Sequence, residues 1–331
     1  MMTMRVRAFA HALPKQTVTA DGVAHWTGAD PSFVAEKIGF HQRHFLAADE
    51  APSSLAAAAL TKLLEDQSAL DKDEVEALIV ITQTPDYSIP HLSAQLQTLC
   101  GLPDHVAAFD LSLGCSGWVY GLSVARGMMQ AENWRNAVVV TCDPYSKIMS
   151  PTDRATATVF GDAAAATWLS RDDGAVIGSF DFGTDGSGAD GLILRAGRGA
   201  MPVTSIFSKH STALAADQQL YMDGRAILTF MLERVPNSVD RCIARNSLTR
   251  DDIDIFVFHQ ASKYMVELLR RNLGLDEARA PFLLGDIGNC VSSTIPIALE
   301  RLESVGQLGG KRVLVSGFGV GLSWATTLLS F

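Results

Sequence analysis

Short apolar segments alternate with longer amphipathic segments over almost the whole chain. Several short segments are rich in Val, Ile and Phe and apolar at successive positions, which is typical of strands covered on both faces. The longer segments carry apolar residues at a three-to-four-residue spacing, which indicates helices. We therefore predict an α/β protein with strands at 5–11, 77–82, 137–142, 157–160, 176–182, 253–259 and 312–316, and with helices at 53–66, 116–130, 223–244 and 262–273.

The order of these segments repeats along the chain. An acidic turn precedes an apolar strand in DKDEVEALIVITQT and again in TRDDIDIFVFHQA. A polar turn precedes one in RNAVVVTCDP and GKRVLVSGFGV, and a Gly precedes a small-residue run in FGDAAAATWLS and GVGLSWATTLLSF. Because both series run in the same order, we interpret the chain as two duplicated halves, 1–172 and 173–331, each with a mixed sheet. Generic alternation of strands and helices is the other interpretation of this pattern.

Charge and cysteine usage exclude several classes of protein. The chain has 331 residues and a net charge of −9, which disfavours a general nucleic-acid binder because such proteins neutralise phosphates with Lys and Arg. No segment approaches the roughly 18 apolar residues of a membrane span, and the opening segment MMTMRVRAFAHALP lacks the apolar core of a secretion signal. Five scattered cysteines without a CxxC pair predict a cytoplasmic protein with neither a disulfide framework nor a bound metal.

Three reactive or polar side chains stand where predicted strands end or helices begin. Cys115 precedes a helical pattern in LGCSGWVYGLSVA, where the helix dipole and unpaired N–H groups favour a thiolate. His259 ends the strand in IDIFVFHQAS, at the edge where open α/β sheets bind ligands, and Asn289 lies in a glycine-containing loop ahead of a helix. Taken singly, each has a plainer interpretation as a packing thiol, a structural histidine or a turn-forming residue. Together they indicate one catalytic cluster.

A glycine-rich turn, SGFGVGLSW, lies near the end of the chain. It lacks the GxGxxG spacing, the following helix and the downstream acid of a dinucleotide-binding loop. A turn that exposes backbone N–H groups suits an oxyanion hole instead, because such groups stabilise developing negative charge.

At this point the sequence resembles a known family. The windows LGCSGWVYGLSVA, VFGDAAAATWLS, FVFHQAS, GNCVSSTIPIAL and SGFGVGLSWATTLLSF are similar to those of the ketoacyl-ACP synthase III family of the thiolase superfamily. The resemblance implies a thiolase-like five-layered αβαβα fold and a homodimer. It also implies decarboxylative Claisen condensation of an acyl thioester, acyl-CoA, with malonyl-ACP or malonyl-CoA, which gives a 3-oxoacyl product, CO2 and free CoA. These thioesters are substrates, and no cofactor is implied.

The resemblance also implies roles for individual residues. Cys115 is the acylated nucleophile, His259 and Asn289 hold the thioester oxygen of the donor, and the backbone N–H groups of Cys115 and Val320 form the oxyanion hole. The implied substrate-binding residues are Phe33, Lys37 and Arg154 for the coenzyme and Ile89 for the partner subunit's acyl pocket. Trp118, near the acyl group, and Ser262, directly after the HQA motif, are two further candidate substrate-binding residues.

Two other functions are compatible with these residues. One is an acyltransferase that moves the Cys-bound acyl group to an alcohol or amine in a specialised pathway, and the other is a scaffold subunit without chemistry. The His259 and Asn289 pair disfavours the first, since decarboxylation is what needs two donors, and the presence of Cys115 disfavours the second. An acidic acyl carrier protein would need local basic residues for docking, and the candidates are Lys37, Arg43, Lys209, Lys263, Arg270 and Arg271.

Overall fold

The strands of the structure follow most of the predicted apolar segments. The structure is a computed structural model that describes residues 4–67, 70–202 and 215–331. Strands β4 and β6, whose bounds are given below, are buried at every position, which explains why β4 is wholly apolar and β6 largely so. The strands are β1 (Arg5–Ala12), β2 (Gln16–Thr19), β3 (Gln42–Phe45), β4 (Ala77–Ile81), β5 (Ala107–Leu111), β6 (Asn136–Cys142), β7 (Ala164–Ser170), β8 (Ala175–Thr184), β9 (Leu192–Ile193), β10 (Tyr221–Met222), β11 (Ile255–Phe258), β12 (Arg312–Gly319) and β13 (Ser323–Ser330).

The helices begin and end close to the predicted positions. In the helix that follows β11, the Ser262 side chain accepts a hydrogen bond from the Met265 N–H, and Gly274 ends the helix in the left-handed conformation. None of the helices in the described part of the chain is long and apolar enough to cross a membrane. The helices are α1 (Ala20–Thr27), α2 (Pro52–Asp66), α3 (Leu92–Leu99), α4 (Gly117–Ala131), α5 (Arg154–Ala157), α6 (Gly224–Arg245), α7 (Lys263–Leu273) and α8 (Thr294–Ser304).

The principal sheet has the strand order β11-β12-β13-β8-β1-β7-β6-β4-β5. The parallel pairs are β4 with β5, β4 with β6, and β11 with β12, whereas β6 with β7 and β12 with β13 are antiparallel. The sequence patterns that repeat in the two halves lie in β4 and β11, in β6 and β12, and in β7 and β13. The three strands of one half have the same order and relative direction in the sheet as the three strands of the other. On this basis we propose that residues 1–172 and 173–331 are structurally equivalent halves.

The helices form layers on both sides of the sheet segments. Helix α4 packs on β4 and β6 and also on β12 and β13, and α8 packs on β1 and β7 and also on β11 and β12. Helices α4 and α8 therefore lie between the strands of the first half and those of the second half. Helices α2 and α3 cover the outer face of the strands of the first half, and α6 covers the outer face of the strands of the second half. Helix α7 packs on α6. The predicted five-layered αβαβα arrangement of an α/β chain is confirmed.

One predicted strand is wrong. The segment 157–160 is not a strand, because it closes α5 and then turns toward β7. The Asp153 carboxylate accepts hydrogen bonds from the N–H groups of Ala155 and Thr156 and so begins a helix that apolar spacing did not predict. Phe160 forms only an isolated bridge with Asn289. This segment therefore connects the first half of the chain to the loop that carries Asn289.

Candidate active site

Cys115, His259 and Asn289 all line one cavity of about 990 Å³, which we call the main cavity. Cys115 lies between β5 and α4, His259 follows β11 directly, and Asn289 precedes α8. Each is buried, with 4%, 2% and 3% of its surface exposed. Three side chains that are far apart in the sequence thus line one cavity, and their burial strengthens the electrostatic interactions that they make.

The Cys115 sulfur lies against the glycine-rich turn. A Cβ on Gly319 would lie 2.8 Å from Cys115 Sγ, so this position has no room for a side chain. The backbone N–H groups of Val320 and of Cys115 itself lower the pKa of the thiol, which places both groups at the sulfur. The structure thus brings together the two N–H groups that the sequence analysis assigned to an oxyanion hole.

The protonation state of Cys115 is opposite to the expected one. Burial raises the pKa of the thiol to about 12, the buried Asp143 carboxylate adds to this shift, and the two backbone N–H groups only reduce it. The prediction that the helix terminus favours a resting thiolate is therefore wrong. Desolvation outweighs the dipole because the sulfur lies inside the protein rather than at an exposed helix end.

His259 is neutral and fixed in orientation. Burial lowers the pKa of its imidazole to about 3. Nδ1 lies 2.6 Å from Thr294 Oγ1, and the Phe318 ring meets the imidazole edge to face at 5.6 Å between centroids. With Nδ1 occupied by Thr294, Nε2 is the ring nitrogen that remains for a substrate.

Asn289 is held by its own loop. Its Oδ1 accepts a hydrogen bond of 2.9 Å from the Val291 N–H, and its backbone N–H donates to Val159 O at 3.1 Å. Because the carbonyl side of the amide is occupied, the Nδ2 group is the part that remains for a ligand. The side chain is therefore oriented as a hydrogen-bond donor.

The main cavity also holds four of the six predicted substrate-binding residues, which are Phe33, Lys37, Arg154 and Ser262. The Arg154 guanidinium lies over the Phe33 ring at 5.2 Å from its centroid. Arg225 and Tyr264 line the same cavity. A cation stacked on an aromatic ring, with further cationic side chains nearby, suits a ligand with a flat ring and phosphates.

The remaining two predicted substrate-binding residues lie elsewhere. Trp118 is fully buried in the core, where its Nε1–H donates to Thr167 Oγ1 at 2.9 Å, and it does not line the main cavity. Trp118 is thus a packing residue of α4 rather than a wall of an acyl pocket. Ile89 is 87% exposed in the loop before α3, at the surface of its own chain.

Two candidate docking cations do not lie on the surface. Arg43 is fully buried, where one guanidinium N–H donates to Ala157 O at 2.8 Å, and Arg270 is only 9% exposed. Both are therefore unsuited to bind a carrier protein, because each is covered by its own chain. Lys209 lies outside the described residues. Lys37, Lys263 and Arg271 are at least partly exposed.

Sequence reasoning missed three residues that touch Cys115, His259 or Asn289 or act on them. Asp143 follows β6 as His259 follows β11, so a charged residue closing an apolar strand was an available signal. Thr294 and Phe318 read as ordinary core residues in the sequence, and only the folded chain brings them to His259. Among the described residues, no group of three or more His, Cys, Asp or Glu side chains is arranged to hold a metal ion.

Comparison with known proteins agrees with this fold. Residues 109–186 match the family model of 3-oxoacyl-[acyl-carrier-protein (ACP)] synthase III, and residues 243–331 match that of its C-terminal part. The β-ketoacyl-[acyl-carrier-protein] synthase III of Clostridium beijerinckii is 31% identical over 100% of both chains. That of Lactobacillus helveticus is 32% identical over 99% of this chain and 98% of its own. A crystal structure of 3-oxoacyl-(acyl-carrier-protein) synthase III, 38% identical, matches 99% of this chain and 100% of its own with a TM-score of 0.92.

The fold and the buried cysteine cavity define a thiolase-like protein. The chain belongs to the 3-oxoacyl-[acyl-carrier-protein] synthase III family, a family of condensing enzymes.

The raised thiol pKa predicts how Cys115 reacts in the absence of substrate. Iodoacetamide is expected to alkylate it slowly at pH 7, with the rate rising about tenfold per pH unit up to pH 9, because the thiolate fraction grows in that way below the pKa. The measurement is peptide mass spectrometry of modified Cys115, with free cysteine as an internal reference. A rate that levels off between pH 6 and 8 would instead show a preformed thiolate.

Proposed function

We propose that the protein condenses an acyl thioester with a malonyl thioester, with malonyl-ACP as the donor. The reaction releases CO2, free CoA and a 3-oxoacyl product. The observation that carries this proposal is the meeting of three groups in the main cavity: the Cys115 thiol, a neutral His259 and the free amide side of Asn289. The reaction uses the two thioesters as substrates and requires no further cofactor.

In the first step the acyl group moves from CoA to Cys115. The new bond joins the Cys115 sulfur to the acyl carbon, and the bond between that carbon and the CoA sulfur breaks. Because the resting thiol is protonated, its proton leaves during the step and ends on the departing CoA sulfur, so that CoA is released as a thiol. The backbone N–H groups of Cys115 and Val320 then stabilise the negative charge that develops on the acyl oxygen.

In the second step the donor loses its carboxylate. The bond between that carboxylate and the methylene carbon breaks, CO2 leaves, and the electron pair forms an enolate with its charge on the thioester oxygen. His259 Nε2–H and Asn289 Nδ2–H donate to this oxygen. The donor form of His259 requires the Thr294 hydroxyl to donate to Nδ1, a contact of 2.6 Å that is shorter than its alternative to Val291 O at 3.2 Å. The enolate carbon then attacks the acyl carbonyl and the bond between the acyl carbon and the Cys115 sulfur breaks. The released sulfur takes up a proton from water, which restores the resting thiol.

The test of this function is a two-stage assay with the whole protein. Mixing with acyl-CoA should give an acyl adduct on Cys115 by mass spectrometry, and malonyl-ACP should then discharge it with release of CO2 and a 3-oxoacyl thioester. Discharge by an alcohol or amine instead of a malonyl thioester would replace the proposal by the acyltransferase function. Failure to form any adduct would replace it by the scaffold function.

We also propose that the protein is a homodimer in which Ile89 reaches the acyl site of the partner subunit. Supporting this, Ile89 and Tyr87 are apolar or aromatic side chains with exposed fractions of 87% and 61%, which is unusual for neighbours on a free surface. A cytoplasmic location stays a prediction from the sequence.

The stacked pair at the main cavity predicts a binding defect. Arg154→Ala is expected to raise the KM for acyl-CoA about tenfold and to leave kcat nearly unchanged, because the guanidinium over Phe33 contacts the carrier rather than the reacting carbon. Steady-state kinetics measure both constants. Arg135→Ala is the matched control, since Arg135 pairs with Asp172 at the surface. A fall in kcat with an unchanged KM would contradict the assignment.

A further inference from the structure

A second cavity of about 690 Å³, the side cavity, begins next to Cys115. A Cβ on Gly114, the residue before Cys115, would lie 2.4 Å from Val320 Cγ1 and 2.6 Å from Gln83 Oε1. Val320 and Gln83 line the side cavity, and Leu192 lines both cavities. About the thickness of one residue, Gly114, thus separates the side cavity from the Cys115 sulfur.

The geometry of the two cavities assigns a different part of the substrate to each of them. In the proposed reaction the main cavity receives the carrier arm of each thioester in turn, so the acyl chain on Cys115 must leave it free for the donor. The adjacent side cavity is the available space for that chain. Its contacts with the acyl group therefore decide which primer the enzyme accepts.

The wall of the side cavity nearest Cys115 carries polar groups beside Val320. Tyr145 Oη donates to Gln83 Oε1 at 2.7 Å, and both residues line the cavity. The backbone of Gln83 is fixed as well, since its N–H donates to Asp143 Oδ1 at 2.7 Å. With Oε1 occupied, the Gln83 Nε2 group has no hydrogen-bond partner among the described residues. If the amide is reversed, Nε2 donates to Tyr145 and the tyrosine O–H is free, so one donor remains in either case.

A second polar group in this wall also lacks a partner. Thr84 is 6% exposed and lines the side cavity, and its Oγ1 forms no hydrogen bond within the described part of the chain. A buried hydroxyl without a partner is costly, and natural proteins seldom retain one unless a ligand or water satisfies it. Thr84 and Gln83 both line the side cavity, so a ligand there lies next to both residues.

We infer that the side cavity selects an acyl primer whose chain carries an oxygen atom, as a hydroxyl or keto group, which accepts a hydrogen bond from Gln83 and contacts Thr84. This inference rests on the proposed function. An unsubstituted alkyl chain would leave the free donor of the Gln83–Tyr145 pair buried without a partner, and a site built to hydrogen-bond its substrate discriminates strongly against an analogue that lacks the bonding atom. A hydroxyacyl or oxoacyl chain satisfies them.

The test is a competition between primers of equal length. The protein is mixed with butyryl-CoA and 3-hydroxybutyryl-CoA, then separately with butyryl-CoA and acetoacetyl-CoA, and the initial ratio of adducts on Cys115 is read by mass spectrometry. We expect the oxygenated primer to be preferred by at least about tenfold in one of the pairs. Equal rates, or a preference for butyryl-CoA in both pairs, would overturn the inference.

Variants connect the preference to the side cavity. Gln83→Leu and Thr84→Val, which remove polar atoms at similar volume, are each expected to reduce the preference about fivefold or more. Gln307→Leu, at an exposed position, is the control and should keep the wild-type ratio. If Gln83→Leu does not fold, Thr84→Val and the wild-type ratio decide the question. A wild-type preference that both variants leave unchanged would also overturn the inference, whereas the absence of any adduct would count against the proposed function itself.

Discussion

Replacing Cys115 with Ala is expected to abolish the acyl adduct and to lower condensation by at least about 10⁴-fold, because no other group in the main cavity can form the thioester intermediate. The adduct is measured by intact mass after mixing with acyl-CoA, and condensation by the 3-oxoacyl product. The fold should be retained, since the change removes a single sulfur from the border of a cavity.

The control for this variant is a second buried cysteine. Cys242 is fully buried in α6, where its sulfur contacts Ser179 O, and it lines neither cavity. Cys242→Ala should therefore keep the adduct and the activity, even if it lowers the melting temperature slightly. An adduct that survives in Cys115→Ala would assign the nucleophile to another residue.

The second large effect concerns Asn289. Asn289→Ala is expected to leave acylation of Cys115 within a few-fold of wild type and to slow CO2 release from the malonyl donor by about 100- to 1000-fold, the usual loss for one donor to a developing oxyanion. The two steps separate because acylation uses the backbone N–H groups of Cys115 and Val320, whereas the donor's enolate needs the amide. Single-turnover measurement of adduct formation and of labelled CO2 release distinguishes them.

A second variant separates this chemical role from a structural one. Asn289 Oδ1 also holds the N–H of Val291, a β-branched residue with a φ of 53°. Asn289→Asp keeps an oxygen for Val291 but replaces the donor by an acceptor, so it should slow CO2 release at least as much as Asn289→Ala. Asn237→Ala, on the exposed side of α6, is the neutral control. Release of CO2 at the wild-type rate in both Asn289 variants would refute the assigned role.

Local sequence signals predicted the elements and much of the main cavity. The strands β1, β4, β6 and β12 and the helices α2, α4, α6 and α7 lie close to their predicted bounds, because period and capping are properties of neighbouring residues. The wrong strand at 157–160 shows the limit of this approach. Apolar residues there pack against the Asn289 loop from a distant part of the chain, and the Asp153 cap determines the local conformation.

Residue type alone misplaced some side chains. Trp118 was expected at the acyl group and Arg43 on the surface, yet both are fully buried. A tryptophan close in sequence to a reactive cysteine is equally suited to line a cavity or to lie in the core. The neighbouring residues in the sequence do not distinguish these two positions. The direction in which α4 presents it depends on what packs against that helix.

The sequence by itself determined an α/β chain with a repeated order of elements, and it singled out Cys115, His259 and Asn289, because periodicity and short motifs are encoded in adjacent residues. Only the tertiary structure decided that these three share one cavity, that the thiol is protonated and the imidazole neutral, and that Gln83 and Thr84 line the adjacent space. The physical reason is that burial, through-space charge and hydrogen-bond partners arise from contacts between residues far apart in the chain.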